Sequence, residues 1–433
     1  MGRSLLTAAA LVLAAATATP ALVVPGYAIV GARVVTGTGQ TLARATVVIR
    51  EGVIAGVTTG SDAPGDVERI DGDGLRVYPG LIDLFTRAGV SVPTTAAPQD
   101  PATREISELW RRRRLLQGDV HAADHYRPDA SRRETLLAAG ITNALIVPGG
   151  EAIAGQSALV QLAEPEIDPQ VSRIAVDLRG AAIVQTPVAL HVSFPSRGVA
   201  GTYPASLMGG IAFVRQAFVD ARRYEQAQSM TLRPAARPPY DAALSGMAAA
   251  VTRRMPVAFE ASSPREIRRA LALALELSLD PIIVGGHGAG EVIAPLKEAG
   301  ARVIVLAAFP ERDGSLAPDA DEPLREIEAR AAAREAAAAL AAAGVPFGFG
   351  SHGLKDAAEL VKRVGVAVEH GLTPDAAVTA LTSGAARIAG ADDRLGAVVE
   401  GRMANLIVTD GDLFAQKTSV THVFVDGRRV LLP

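Results

Sequence analysis

Between residues 77 and 389 the sequence repeats one unit. A short, continuous apolar run is followed by a stretch whose apolar residues recur at helical spacing. The runs are VYPGLIDLF (77–85), GITNALIVPGG (140–150), MPVAFEA (255–261), DPIIVGGHG (280–288), ARVIVLAAF (301–309) and VPFGFGSHG (345–353). Helical spacing is expected at 131–139, 264–277, 291–299, up to 343, 354–370 and 374–389. Runs without polar alternation are buried on both faces, as parallel strands covered by helices are. Repetition over about 300 residues favours a (β/α)8 TIM-like barrel over an open sheet. The third and fourth strands are expected within 180–228, where the pattern has no clear limits.

The two ends have a different texture. Residues 27–57 hold Val- and Ile-rich runs bounded by glycine, and ANLIVTDGDLF and THVFVDGRRVLLP close the chain with Asp-Gly turns. Such runs predict short antiparallel strands. A small β-sandwich domain built from both chain termini is therefore expected beside the α/β barrel. The expected divisions are an amino-terminal hydrophobic segment at 1–24, sandwich at 27–78, barrel at 79–390 and sandwich at 391–433. In the first segment Arg3 precedes an apolar run, and Ala16-Thr17-Ala18 supplies small residues before Pro20. This is the layout of a cleaved signal peptide, which predicts a periplasmic or extracellular protein. The run is short for a membrane span, so no stable span is expected after cleavage. An uncleaved amino-terminal helix is the alternative.

Composition removes several classes of function. The 433-residue chain has no cysteine, so disulfides, thiolate metal sites and cysteine nucleophiles are excluded. Its net charge of −3 provides no basic field for nucleic acid. No Gly-x-Ser-x-Gly elbow lies between a strand and a helix, and GTGQT precedes no helix. A metal site would need the seven histidines and the carboxylates.

Barrel chemistry gathers at the carboxyl ends of the strands. Those positions carry Asp83, Phe85 and Arg87, then Glu260, His287, Ser351 and His352. Glu260, His287 and His352 offer one carboxylate and two imidazoles, a legitimate divalent-metal set. Alternatively, Glu260 pairs with Arg87 across the barrel mouth; these are competing uses of one carboxylate. The Gly-rich PGGEAIAGQS (148–157) could present backbone amides to an anion, with Gln156 and Ser157 as substrate-binding handles, or it is a tight barrel loop. His121 and His125 in HAADH have the spacing of one helix face, but Gly118 and Pro128 favour a loop lining the mouth. The run from Arg111 to Arg114 predicts a solvated helix face with local carboxylate partners. His191, His370 and His422 have no assignable partner and are expected to be structural or surface residues.

VYPGLIDLFTRAG resembles the "PGLID-x-H-x-H" motif that opens the barrel of the amidohydrolase superfamily. GLTPDAAVTALTSGAARIAGADDRLGAVVEGRMANLIVTDGDLF resembles that superfamily's closing helix and return to the β domain, with Asn405 where aspartate is usual. The resemblance spans nearly everything from Tyr27 onward and is greatest to the imidazolonepropionase-like branch. It implies a barrel plus a β domain made from both ends. It also implies hydrolysis of C–N bonds by water activated on one or two divalent metals.

Carried over residue by residue, most ligand places are altered. Phe85 and Arg87 stand where the superfamily has metal-binding histidines, Glu260 where a histidine is usual and His352 where an aspartate is. His287 keeps its type. The lysines (Lys297, Lys355, Lys362 and Lys417) all follow the fifth strand, so the bridging lysine of binuclear members has no counterpart. A standard binuclear site is not expected, though one divalent metal at Glu260, His287 and His352 would leave His352 to move the proton. Two functions follow: a hydrolase acting on non-peptide C–N bonds of a small molecule, or a non-catalytic barrel that binds a ligand or protein partner in the periplasm. Either places a small-molecule ligand in the barrel mouth, with Arg87 as an anchor. Homo-oligomerisation is compatible with both.

Overall fold

The computed structural model describes residues 26–93, 104–162, 183–195, 203–230, 237–317 and 319–432. The expected signal segment at 1–24 lies outside them. Among the described residues, no helix is long and apolar enough to cross a membrane.

The chain begins with β1 (Tyr27–Val35), β2 (Thr41–Arg50), β3 (Val53–Thr59), β4 (Glu68–Asp71) and β5 (Arg76–Pro79). Then follow β6 (Leu81–Thr86), α1 (Arg104–Leu115), α2 (Ala122–His125), α3 (Ala130–Ala138), β7 (Ile141–Ile146), β8 (Ile153–Gln156), β9 (Ala158–Gln161), β10 (Ile183–Gln185) and β11 (Leu190–Val192). Helices α4 (Leu207–Ser229), α5 (Ala242–Gly246) and α6 (Ala248–Val251) lead to β12 (Val257–Ala261), α7 (Pro264–Glu276), β13 (Pro281–Gly285), α8 (Ile293–Glu298), β14 (Arg302–Leu306), α9 (Leu324–Ala343) and β15 (Phe347–Gly350). The chain closes with α10 (Leu360–Glu369), α11 (Pro374–Leu381), α12 (Ser383–Ile388), β16 (Leu406–Thr409), β17 (Val420–Val425) and β18 (Arg428–Val430).

Both ends enter one eight-stranded sheet, ordered β18-β17-β16-β5-β1-β2-β3 with β4 also paired to β1. The joining of the two ends matches the expectation; one hydrogen-bonded sheet stands where a sandwich of two was expected. Tyr27, Val47, Ile49, Val77, Leu406 and Phe424 form its core. The expected single strand 77–85 is divided at Gly80 between this sheet and the barrel-like body. A Cβ on Gly80 would lie 2.2 Å from the Thr142 hydroxyl, so only glycine fits where β5 passes into β6. Asn405 ties the two bodies together. It donates to the Asn143 side-chain oxygen (2.9 Å) and accepts from the Asp426 amide (2.8 Å). An aspartate could not make the first bond, because an ionised carboxylate only accepts.

The barrel-like body consists of two sheets, β10-β9-β7-β6 and β15-β14-β13-β12-β11-β8. Strands β11 to β15 are parallel to one another, as are β6 and β7. Hydrophobic runs without alternation account for this, since helices cover their outer face. Helix α7 shows how such a helix begins: Ser263 and Glu266 form a reciprocal capping box, with Pro264 in the first turn.

Two features correct the expected (β/α)8 barrel. First, β8 and β9 form one chain segment that runs antiparallel to β7 and β11. It bends at Ser157 and so belongs to both sheets. The segment expected as a glycine-rich loop thus takes a strand's place in the wall, and the 180–228 region contributes β10, β11 and then α4. Second, among the described residues no ladder joins β6 to β15, so these two sheets do not close into a barrel. The edges are held by individual bonds: the His352 amide donates to the Phe85 carbonyl (3.0 Å), and Asp83 accepts from Ser351. Inside, Ile82, Leu145, Leu159, Val284 and Ile304 pack with Ala385 and Ile388 of α12. The expected 374–389 helix is interrupted at buried Thr382, whose hydroxyl donates to the Val378 carbonyl (2.7 Å).

Candidate active site at the strand ends

The strand ends of β6 and β15 meet at a buried carboxylate. Asp83 Oδ1 accepts from the Ser351 amide (2.8 Å) and the Phe85 amide (3.1 Å), and Oδ2 accepts from the Ser351 hydroxyl (2.5 Å). Burial pushes the Asp83 carboxyl up to about 6, against the pull of those donors. The side chain is 1% exposed, so it positions the rim and does not contact solvent.

Phe85 follows, fully buried, and three polar side chains surround its ring. The His191 ring lies 5.5 Å from it edge-on, the His352 ring 5.3 Å away, and the Arg87 guanidinium carbon 5.5 Å over its face. Arg87 Nη2 donates to Glu260 Oε1 at 2.5 Å, spanning the mouth from β6 to β12. Burial raises the Glu260 carboxyl, and the neighbouring guanidinium opposes it. The Arg87 Nε–H is buried without a partner among the described residues.

The three imidazoles differ. His352 is half-buried; desolvation and then the Arg87 charge lower its basicity, so its neutral form prevails at pH 7. His287 is lowered by desolvation, and its Nε2 lies 2.9 Å from the Leu306 carbonyl, which makes Nε2 the protonated nitrogen. His191, expected to be an ordinary structural or surface residue, is neither exposed nor satisfied. It is wholly buried, both ring nitrogens are without partners among the described residues, and burial drives it down to about 3. Periodicity could not reveal this, because LHV is indistinguishable from a short strand with one tolerated polar residue.

Beside this cluster opens a cavity of about 450 Å³. Arg87 and His352 stand on its wall with Ser351, and the start of α3 and the 352–357 loop complete it. Arg132 and Lys355 also line it. Sequence reasoning missed both; the one available signal is that Lys355 follows His352 by three residues in a strand-end loop.

Of the expected site residues, Arg87, Glu260 and His352 come together. The Glu260–Arg87 pair forms, and the competing metal set of Glu260, His287 and His352 does not. Among the described residues, no three His, Asp or Glu side chains are grouped to hold a metal ion. Glu260 is committed to a cation, and the His287 Nε2 to a carbonyl. Phenylalanine at 85 offers no lone pair and arginine at 87 no deprotonated nitrogen. The donor set therefore does not fit the divalent metal that the resemblance implied.

Gln156 and Ser157 are not at the cavity. Gln156 Nε2 donates to the carbonyls of Gly118 (2.8 Å) and Gly246 (2.9 Å), and Ser157 bonds across to Ala189. Both stitch the bend between the two sheets, so the expected substrate handles are structural bonds here. His121 holds the N-cap position of the one-turn helix α2 and His125 is its last residue, and His121 forms a bridge with Gln156. The arginine run has the local carboxylate partners expected of it, and Arg112 and Arg113 are exposed as on a solvated face; Arg111 is the buried one of the four. Arg111, 5% exposed, and Arg114 share Glu151 (2.7 and 2.6 Å), and Arg112 pairs with Asp241 (2.8 Å).

The amidohydrolase family model matches residues 293–430. No curated protein matches the chain. Among solved structures, an amidohydrolase from Thermotoga maritima MSB8 superposes with a TM-score of 0.75 at 22% identity, over 94% of this chain and 100% of that one. A Xaa-Pro dipeptidase with bound methionine in its active site gives 0.56 at 17% identity, over 94% and 99%. An adenosine deaminase from Xanthomonas campestris with bound zinc gives 0.51 at 15% identity, over 94% and 93%. The chain thus has the TIM-barrel-like α/β fold of these solved amidohydrolases and dipeptidases, with a family match over residues 293–430.

Proposed function

We propose that this protein is an amidohydrolase-like hydrolase that cleaves a non-peptide C–N bond of a small molecule at the mouth of its barrel-like body, without a resident metal. The observation that carries the reading is that Arg87 and His352 face one cavity at adjoining strand ends. Arg87 places a permanent positive charge where a substrate carbonyl oxygen can be polarised. Neutral His352 takes a proton from water as the water oxygen bonds to the acyl carbon. The C–N bond then breaks, and the imidazolium returns that proton to the leaving nitrogen. The products are a carboxylic acid and an amine, so atoms and charge balance. Glu260 orients the guanidinium through its 2.5 Å bond, and Asp83 fixes the turn that carries Ser351 and His352.

A second reading, binding without turnover, is favoured by the same ion pair, since Glu260 holds part of the guanidinium that a carbonyl would need. Purified protein should be assayed against amides, lactams, cyclic ureides and dipeptides, with and without chelator. Chelator-insensitive turnover that is lost in His352→Ala supports the first reading. Saturable binding with no turnover of any class selects the second. About one equivalent of tightly bound metal, lost in both His287→Ala and His352→Ala, overturns the metal-free reading. Export is part of this proposal, and fractionation of producing cells tests it: cytoplasmic protein with its first residues intact contradicts it.

A further inference from the structure

We infer that the molecule taken at this mouth carries a carboxylate, held by Arg132 and Lys355 while its reacting group faces Arg87 and His352; the inference rests on the cavity being the functional site. Three cationic side chains line this one cavity: Arg87, Arg132 and Lys355. Arg87 is engaged by Glu260. The side chains of Arg132 and Lys355 have no hydrogen-bond or ion-pair partner among the described residues; the Arg132 backbone amide alone is used, donating to Asp129. Two carboxylates also line the cavity, and each is turned to its own backbone. Asp129 accepts the Arg132 amide at 2.8 Å, and Asp356 accepts the Ala358 amide at 2.9 Å.

With His352 neutral and Arg87 paired to Glu260, an incoming anion meets the two unpaired cations, and a single carboxylate can bond to both. An exposed loop can hold a lysine anywhere at little cost. Here, two unpaired cations come from separate elements, α3 and the loop after β15, and converge on one concave surface that also holds the candidate base. A planar guanidinium matches a carboxylate through two parallel bonds, and the ammonium adds a point charge. Fixing the anion at the outer wall would orient an adjoining acyl group toward Arg87.

The test is isothermal titration calorimetry on the full-length protein and on His352→Ala, which leaves the two anchors in place. Probes are N-acetylglycine, succinate monoamide, the neutral N-acetylglycinamide and inorganic phosphate. The two carboxylates should bind, and N-acetylglycinamide should bind at least roughly tenfold more weakly, since it lacks the charged group. Arg132→Met and Lys355→Met, which keep the apolar stems, should each weaken N-acetylglycine by roughly tenfold and leave the thermal midpoint in place. Equal affinity for the amide, tighter binding of phosphate, or no carboxylate binding at tens of millimolar overturns the inference. Carboxylate binding without turnover refutes the hydrolase reading and keeps this one. Turnover of neutral amides with unchanged kinetics in both Met variants does the reverse.

Discussion

Replacing Asp83 by asparagine should unmask a pH dependence that the wild-type protein hides. In the folded state Asp83 holds its proton up to about pH 6, against 3.8 for the free side chain. A carboxyl raised on folding stabilises the folded state fully below the unfolded value and loses that contribution as pH rises through the folded value. Over roughly two pH units the loss is about 1.4 kcal/mol per unit, or about 3 kcal/mol. His191 acts in the opposite sense. It is lowered from 6.5 to about 3, so its contribution is complete above 6.5 and is lost as pH falls toward 3. Between about pH 4 and pH 6 one group's proton uptake offsets the other's, and their sum is nearly flat. The carboxamide of the D83N protein would keep all three bonds, its oxygen accepting the two amides and its NH2 group donating to the Ser351 hydroxyl. The D83N protein should therefore lose stability at about 1.4 kcal/mol per unit on going from pH 6 to pH 4, relative to wild type. Urea unfolding followed by Trp110 fluorescence at half-unit intervals measures this. All other groups titrate alike in the two proteins, so a stability difference that stays constant across the window would refute the assignment of a buried, raised carboxyl.

Three further outcomes are expected. A double-mutant cycle with Arg87→Ala and Glu260→Gln should give a coupling energy of about 1–2 kcal/mol in chemical denaturation, because both side chains are about two-thirds withdrawn from solvent (31% and 32% exposed). Gln156→Leu should cost about 2–4 kcal/mol in the same measurement by stripping the donor from two carbonyls, while leaving ligand affinity at the cavity unchanged. Gly80→Ala should destabilise by about 1–3 kcal/mol, read as a lowered thermal midpoint, since the added methyl overlaps the Thr142 side chain.

Much of the fold was legible because it rests on local periodicity. Parallel strands β12 to β15 and their helices occupy nearly the stretches that continuous apolar runs and helical spacing marked. The rim positions of Arg87, Glu260 and His352 followed from the same pattern, since a strand's last residues face the mouth whatever their chemistry. The strand pair β8–β9 was not legible. Its residues IAGQSALVQ carry no sign of direction, and a strand becomes parallel or antiparallel only through the partners it meets. Gln156 and Ser157 lie in a buried bend for that reason: a polar pair after glycines is equally compatible with a ligand loop and with such a bend.

Residue type and order along the chain were enough to predict the parallel α/β body, the sheet shared by both chain ends, and a strand end carrying phenylalanine at 85 and arginine at 87. These depend on residue type and order, which chain contacts cannot alter. Tertiary structure decided what those residues do. Glu260 could serve a metal or an arginine, and the choice fell to Arg87 because the two strand ends bring guanidinium and carboxylate within 2.5 Å. His191 became a wholly buried, neutral imidazole because its strand points it at Phe85 inside the barrel-like body. Arg132 and Lys355, more than two hundred residues apart, share a cavity only once α3 packs beside the loop after β15. Charge and burial depend on distances between groups remote in the chain, and folding alone sets those distances.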